Sequence, residues 1–293
     1  MSDRLRIALQ KKGRLAEDSY DLLRKCGLRF SVRGGSLLSR VKNMPIDLLL
    51  LRDDDIPSFV ANAAADIGIV GENVLVEEQL TAREPLDAKI LTRLGFSRCK
   101  LCLASPEGGP RDVASLQGTR IASTYPGVLA DYLAREGIAA RSVEMKGAVE
   151  LAPSIGIAES ICDLVSSGAT LEANGLTAFK TLLESEAVLI GSDRELSPAR
   201  AETLAKLSRR IDGVIQSRET KYVMLNAPRA SLDRIIDLIP GSDSPTVVPL
   251  AENDDLVALQ AVCTETILWE TLEDLKALGA RSILVVPIEK MMA

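Results

Sequence analysis

The sequence predicts an α/β protein made of two small lobes facing each other across a cleft, followed by a separate tail of βαββαβ order. Three observations carry this. Apolar runs of strand length alternate with helix-period stretches through the first two thirds of the chain. The cores have to be aliphatic, because hydrophobic residues make up 46% of the sequence and aromatic residues only 3%. The tail changes rhythm, with two strand patterns in succession between its two helices, the order of a ferredoxin-like unit.

In chain order, Leu5 to Gln10 reads as a buried strand, and Arg14 to Cys26 as a helix closed by Gly27. Ile46 to Leu51 is a second strand, Asp54 to Ala64 a helix, and Asp66 to Val70 a third strand leading through Gly71 into another helix. These βα units predict a largely parallel sheet. A second series has strands at Lys100 to Ala104, Arg120 to Ser123, Ser142 to Met145 and Ile161 to Val165, with a helix over Val128 to Glu136. A helix at residues 197–216 leads into the tail. The tail comprises a strand (Lys221 to Leu225), a helix (Ser231 to Leu238), strands at Thr246 to Leu250 and Leu256 to Cys263, a helix (Thr266 to Leu278) ended by Gly279, and a last strand (Ser282 to Val286). The expected domains are lobe I (1–95 plus 185–217), lobe II (96–184) and the tail (218–293).

Composition removes several classes of function. The chain has 293 residues and no histidine, so imidazole bases, Ser-His-Asp and Cys-His systems and His-ligated metals are excluded. Five cysteines, an odd number, do not form a disulfide framework, and Cys99 and Cys102 fall on opposite faces of a strand. Net charge is −6, and no basic cluster interleaves with aromatics, so no nucleic-acid partner is expected. No apolar run reaches the ~18 residues of a membrane span. The start, Met1-Ser2-Asp3-Arg4-Leu5, runs straight into a strand pattern, so a cytoplasmic protein is expected.

The most informative stretch runs from Ile161 to Gly175. An apolar strand enters Ser166-Ser167-Gly168-Ala169-Thr170 and then a helical turn. Small residues let a phosphate approach the backbone, and hydroxyls and free N–H groups supply donors. The same residues also suit an ordinary capped strand-to-helix turn. Asp163 can hold sugar hydroxyls directly or through Mg2+, or stand as a strand-end acid; Glu150 either faces the same cleft or is a solvated helix-start acid. Lys11 and Arg14, in Gln10-Lys11-Lys12-Gly13-Arg14-Leu15, and Arg52 at a strand tip can reach phosphates. For Lys11 and Arg14 the alternative is surface charge. Asp53 to Asp55 could suggest a metal, but read as acids that cap the next helix and complement its dipole. Gly71 is another glycine-bearing strand tip, and Tyr125 either stacks on a base or packs beside Pro126.

Taken together these segments closely resemble the ATP phosphoribosyltransferase family. The match rests on Gln10 to Leu15, Asn43 to Asp47, Arg52 to Pro57, Asp66 to Asn73, Asp163 to Leu176, Thr264 to Thr271 and Val286 to Met291. It covers essentially the whole chain, and the tail resembles that of the long form. The resemblance implies two catalytic lobes of periplasmic-binding-protein-like fold and an ACT-like regulatory tail. It implies transfer of the phosphoribosyl group from 5-phosphoribosyl 1-diphosphate to N1 of ATP, with pyrophosphate leaving. It also implies Mg2+ bridged mainly by substrate, histidine as feedback inhibitor, and homo-oligomers from dimer to hexamer. Asp163, Arg14 and Lys11 are then the expected catalytic residues. Asp163, Ser166, Ser167, Gly168, Ala169, Thr170 and Glu150 would bind the donor, and Lys11, Arg14, Arg52, Gly71 and Tyr125 the nucleotide. Ser244 and Thr246 are the expected effector contacts. Related donor loops often open with two adjacent acids; here Leu164 follows Asp163. A non-catalytic two-lobed binding module and a regulatory subunit without activity are the competing readings.

Overall fold

The computed structural model describes residues 3–32, 34–166, 168–218, 220–239, 245–251, 253–264 and 269–291. It divides into two compact units, residues 1–21 with 28–203, and residues 22–27 with 204–293.

The first unit contains two sheets. Its chain runs β1 (Leu5–Gln10), α1 (Arg14–Lys25), β2 (Leu38–Arg40), β3 (Ile46–Leu51), α2 (Asp55–Ala61), β4 (Ile67–Gly71), α3 (Glu72–Thr81) and β5 (Lys89–Arg93). It then enters the second sheet with β6 (Cys99–Pro106), β7 (Arg120–Ser123), α4 (Pro126–Glu136), β8 (Arg141–Glu144), β9 (Ser160–Val165), α5 (Ala169–Ala173) and β10 (Leu176–Ser185). It returns to the first sheet as β11 (Ala187–Gly191) and leaves along α6 (Pro198–Arg218). The first sheet has the order β2-β3-β1-β4-β11-β5 and the second β10-β6-β9-β7-β8. The chain therefore passes between the sheets twice, from β5 to β6 and from β10 to β11.

The expected largely parallel sheet is corrected here. Only β3-β1-β4 and β9-β7-β8 run parallel; β2, β11 and β5 in the first sheet and β6 and β10 in the second pair antiparallel. Parallel neighbours need a crossover connection, which the βα units of the two trios supply; β2 doubles back directly on β3, and β6 and β11 take up the chain where it changes sheet. The parallel trios still behave as βα units, with their carboxyl ends on one side, where ligands bind in this architecture.

Burial explains which elements hold. Leu5, Ile7, Ala8 and Leu9 of β1 and Ile46, Leu48 and Leu50 of β3 are fully buried. On one face of the first sheet, Ile56 and Val60 of α2 pack with Ala8, Val70, Val188 and Ile190. In the second sheet, Val128, Leu129, Tyr132 and Leu133 of α4 cover Leu101, Leu103, Ile121 and Cys162. Helix α1 stops at Gly27, whose φ of +82° is open to glycine at little cost.

In the second unit the tail runs β12 (Thr220–Pro228), α7 (Leu232–Leu238), β13 (Thr246–Leu250), β14 (Asn253–Thr264), α8 (Trp269–Ala277) and β15 (Arg281–Pro287). The sheet order β13-β14-β12-β15, antiparallel throughout, is the ferredoxin-like order that βαββαβ predicts. Val223, Leu225, Val257 and Leu259 of the sheet pack with Ile235 and Leu275 of its two helices. Helix α6, expected at the end of lobe I, contributes residues to both compact units.

Candidate active site

The carboxyl ends of β1 and β3 in the first sheet and of β7 and β8 in the second line one cleft of about 990 Å³, large for a single small-molecule site. From the first sheet it is lined by Gln10, Lys11 and Lys12 at the end of β1, and by Leu50 to Asp55 at the end of β3. From the second it takes Thr124 after β7 and Glu144, Met145 and Lys146 after β8. A neighbouring recess of about 450 Å³ shares Asp53, Asp54, Thr124 and Glu144, and adds Val74, Glu77, Tyr125 and Pro126.

Local hydrogen bonds fix the strand tips. The Lys11 N–H donates to the Leu51 carbonyl at 2.9 Å, and the Tyr20 hydroxyl bridges the carbonyls of Gln10 and Lys11 at 3.1 and 3.2 Å. This holds the cation-bearing turn against β3, where Arg52 projects, exposed, from the neighbouring tip. In the second sheet, the Ser123 hydroxyl donates to the Cys162 carbonyl at 2.7 Å and accepts from the Tyr125 N–H at 2.9 Å. Asp163 is half-buried. Its Oδ1 accepts the Leu164 N–H at 2.8 Å and faces the Thr124 hydroxyl at 3.5 Å; its Oδ2 has no hydrogen bond among the described residues. Burial, and then the charge of nearby Glu150, push this carboxyl above its usual range, opposed by the Leu164 amide.

Beyond Asp163, Gly168 takes a φ of +83° to turn the chain into α5, and Ser166, Ala169 and Thr170 are exposed. The turn thus presents backbone and hydroxyls to solvent. No side chain caps α5 at Gly168. Ser167 lies outside the described residues. Tyr125 is mostly enclosed; its hydroxyl accepts a 2.6 Å bond from Asn73 Nδ2, and burial holds its phenol well above the usual range. Arg14, the exposed first residue of α1, Gly71, the residue before α3, and Glu150, Asp163, Ser166, Gly168, Ala169 and Thr170 are not among the residues lining either cavity; Ser166 lines a separate recess of about 470 Å³ with Arg93, Arg98 and Lys100. The capping role read for Asp53 to Asp55 is also corrected. Asp54 stands at the N-cap of α2 in helical φ/ψ without a side-chain cap bond, so it is not bent back to reach the helix amides; Asp53 and Asp54 line the cleft instead.

The ATP phosphoribosyltransferase profile matches residues 52–213, and the profile of the HisG C-terminal domain matches residues 217–290. An ATP phosphoribosyltransferase of Maricaulis maris (strain MCS10) is 53% identical over 294 residues, covering 100% of both chains. The chain belongs to the ATP phosphoribosyltransferase family. Members of this family are transferases of the first step of histidine biosynthesis. Among solved structures, the ATP phosphoribosyl transferase (HisG:HisZ) complex from Thermotoga maritima gives a TM-score of 0.59 at 28% identity, over 71% of this chain and 98% of that one. A histidine kinase sensor domain with similarity to periplasmic binding proteins covers 70% of this chain and 87% of its own at 12% identity, with a TM-score of 0.44.

Several residues of this ATP phosphoribosyltransferase cleft escape the sequence reading: Lys12, Thr124, Glu144 and Lys146; so does Glu77 in the neighbouring recess. Thr124 directly follows β7 and Glu144 is the last residue of β8, and this place at the carboxyl end of a parallel strand is the one signal that finds them. Thr246 is the exposed first residue of β13 in the ATP phosphoribosyltransferase tail, and Ser244 lies outside the described residues.

The cleft's fit to magnesium can be tested on its donors. Among the described residues no group of three acidic, cysteine or histidine side chains gathers to hold a metal by itself. The oxygen donors lining the cleft are Asp53, Asp54, Asp55, Glu144 and the Thr124 hydroxyl, with Asp163 beside Thr124. One or two carboxylates suit Mg2+, which takes most of its remaining ligands from substrate phosphates and water.

Proposed function

We propose that this cleft joins N1 of ATP to C1 of the ribose of 5-phosphoribosyl 1-diphosphate and releases pyrophosphate. The arrangement of charge supports this reading most. Lys11, Lys12 and Arg52 line the cleft from the first sheet and Thr124 from the second, with Asp163 next to it, its Oδ1 3.5 Å from the Thr124 hydroxyl.

In this reading the turn, including Ser167, holds the donor's 5-phosphate through amides and hydroxyls. Asp163 accepts the ribose hydroxyls through its unpaired Oδ2, with Glu150 beside it. Lys11 and Arg52, with Arg14 on the same turn as Lys11, hold the phosphates of ATP and of the leaving group. Tyr125, in the neighbouring recess, borders the adenine. N1 of adenine carries its own lone pair, so the bond to C1 forms while the C1–O electron pair leaves with pyrophosphate. The chain aligns the two and offsets charge, and no base of pKa near 7 is needed. Mg2+, when bound, neutralises the departing diphosphate. Purified chain mixed with ATP, Mg2+ and the donor should release pyrophosphate and build the ultraviolet absorbance of the adduct. Absence of release at micromolar enzyme would sink this function.

Two finer outcomes follow from the geometry. Thr170→Val removes one donor to the 5-phosphate. A hydrogen bond to a charged group is worth about 1.5–3 kcal/mol, so the donor KM should rise roughly tenfold or more with an unchanged melting temperature. An unmoved donor KM would place the phosphate elsewhere. The acid limb of the activity profile is the second. Asp163 has to be ionised to accept hydroxyls, and its carboxyl is raised, so activity should fall with decreasing pH already above the ordinary aspartate range. Glu150→Gln removes one of the charges that raise it, so the limb should move to lower pH. A limb that stays put, or moves up, contradicts the pairing.

The tail is the proposed seat of histidine feedback inhibition, with Thr246 and Ser244 as effector contacts. It also carries the proposed contacts of a homo-oligomer, from dimer to hexamer. Val247, Val248, Leu284, Val285 and Val286 leave apolar surface exposed on its two edge strands. A cytoplasmic location suits these substrates, and among the described residues no helix is long and apolar enough to cross a membrane.

A further inference from the structure

Helix α3 belongs to the first sheet and α4 to the second, and the two meet beside the cleft. The junction is polar and specific. Glu77 of α3 is 9% exposed, yet both its oxygens are occupied: Oε1 accepts the Gly127 N–H at 2.7 Å and Oε2 the Val128 N–H at 2.9 Å. These amides open α4, where a helix of eleven residues leaves N–H groups without internal partners. One helical turn earlier on α3, Asn73 donates to the Tyr125 hydroxyl at 2.6 Å. Asn73 is itself pinned, because its N–H donates to the Ser185 hydroxyl at 3.0 Å and its Oδ1 accepts from that hydroxyl at 2.7 Å. The fit is close enough to require glycine at 127: a Cβ there would stand 2.7 Å from Thr81 Cγ2 and 3.1 Å from Glu77 Oε1.

What this junction holds is the lead-in to α4. Ser123 to Tyr125 is tied on its other side to β9, through Ser123 to the Cys162 carbonyl and through Thr124 towards Asp163. A chain of contacts therefore runs from α3, on the sheet that carries Lys11 and Arg52, to Asp163 on the other sheet. We propose that Glu77 is a positioning residue for phosphoribosyl transfer: by gripping the first amides of α4 it sets the second sheet, with Thr124 and Asp163, at reacting distance from the phosphate-binding tips of the first. The inference rests on the two-substrate reading of the cleft. Each sheet keeps its own half of the site when the grip is lost; what is lost is their alignment. Misplacement by about 1 Å is enough to lower a rate on the order of a hundredfold.

The test uses the full chain. Glu77→Ala should lower kcat at saturating ATP and donor by about tenfold or more. The Kd of ribose 5-phosphate and the Kd of ATP, each measured alone by calorimetry, should stay within roughly twofold, since no contact to either ligand is removed. Glu77→Gln keeps one carbonyl acceptor and should recover part of the rate. Gly127→Ala should reproduce the loss without touching charge. Adding Thr81→Ser deletes the methyl that the new Cβ meets and should restore activity. If Glu77→Ala does not fold, the Gly127→Ala and Thr81→Ser pair decides. The proposal is overturned by a Glu77→Ala kcat within twofold of wild type, by a parallel loss of ribose 5-phosphate affinity, or by a double variant no better than Gly127→Ala. A wild-type chain without activity counts against the reaction itself; an active wild type with an equally active Glu77→Ala counts against the grip alone.

Discussion

Asp163→Asn should lower kcat/KM for the phosphoribosyl donor by about a hundredfold while leaving the protein equally or more stable. The kinetic half follows from the carboxylate's free oxygen. Oδ1 is engaged by the Leu164 amide, and an asparagine carbonyl can replace it there. Oδ2 is the acceptor left for ribose hydroxyls, and in asparagine an NH2 donor takes that position. Losing hydrogen bonds to a charged acceptor, at about 1.5–3 kcal/mol each, gives a factor of that size. The stability half follows from the raised carboxyl. A group whose acid form is favoured by the fold weakens the folded state as pH rises from the unfolded pKa through the folded one. At neutral pH the charge is therefore a burden that asparagine removes, and at acid pH, where the carboxyl is protonated, the difference vanishes. Steady-state kinetics with thermal melts at two pH values check both halves. An unchanged kcat/KM would refute the assignment of Asp163 to the donor.

Ile56→Ala should destabilise the first unit by about 2–5 kcal/mol, the range for emptying a fully buried aliphatic site. Its partner is Gly68 of β4. A Cβ added there would lie 2.6 Å from Ile56 Cγ2, 3.2 Å from Val60 Cγ2 and 3.4 Å from Ile190 Cγ1. Gly68→Ala alone should therefore destabilise by about 1–3 kcal/mol through overpacking. In Gly68→Ala/Ile56→Ala the new methyl enters space the isoleucine vacated, so the combined effect should fall short of the sum by about 1 kcal/mol or more. Urea melts of the four proteins measure this directly. Strict additivity would show that α2 shifts away from β4 rather than staying in place.

How legible these features were depends on whether the signal is local. Strand β1, helix α1 and strand β3 announce themselves through apolar runs and a terminal glycine. The Asp163 to Thr170 turn does so through its run of small residues. Strand β11 is as apolar as β3, yet it passes unnoticed because its partners β4 and β5 lie about a hundred residues earlier and its direction is antiparallel. Strand β10 is mostly exposed and carries two register shifts, so its side chains show no clean alternation. In the site, Thr124, Glu144 and Lys146 are single residues brought together by the order of β8, β7 and β9, which local pattern does not encode. Asp53 and Asp54 mislead in the opposite sense, since three acids before a helix suggest caps. Glu77 carries no local signal; only the fold sets it against Gly127, 50 residues further along the chain.

Strand β11 also bears on how the molecule is made. The sheet built from residues 96–185 is contiguous in sequence and has all its strands once Ser185 has left the ribosome. The other sheet is still missing an interior member, because β11 inserts between β4 and β5. Until then β4, with its buried Ile67, Ile69 and Val70, offers a bare apolar edge during synthesis of more than a hundred further residues. The nascent chain's adhesive stage therefore lasts until about two thirds of it has been made, and it ends with the five residues of β11.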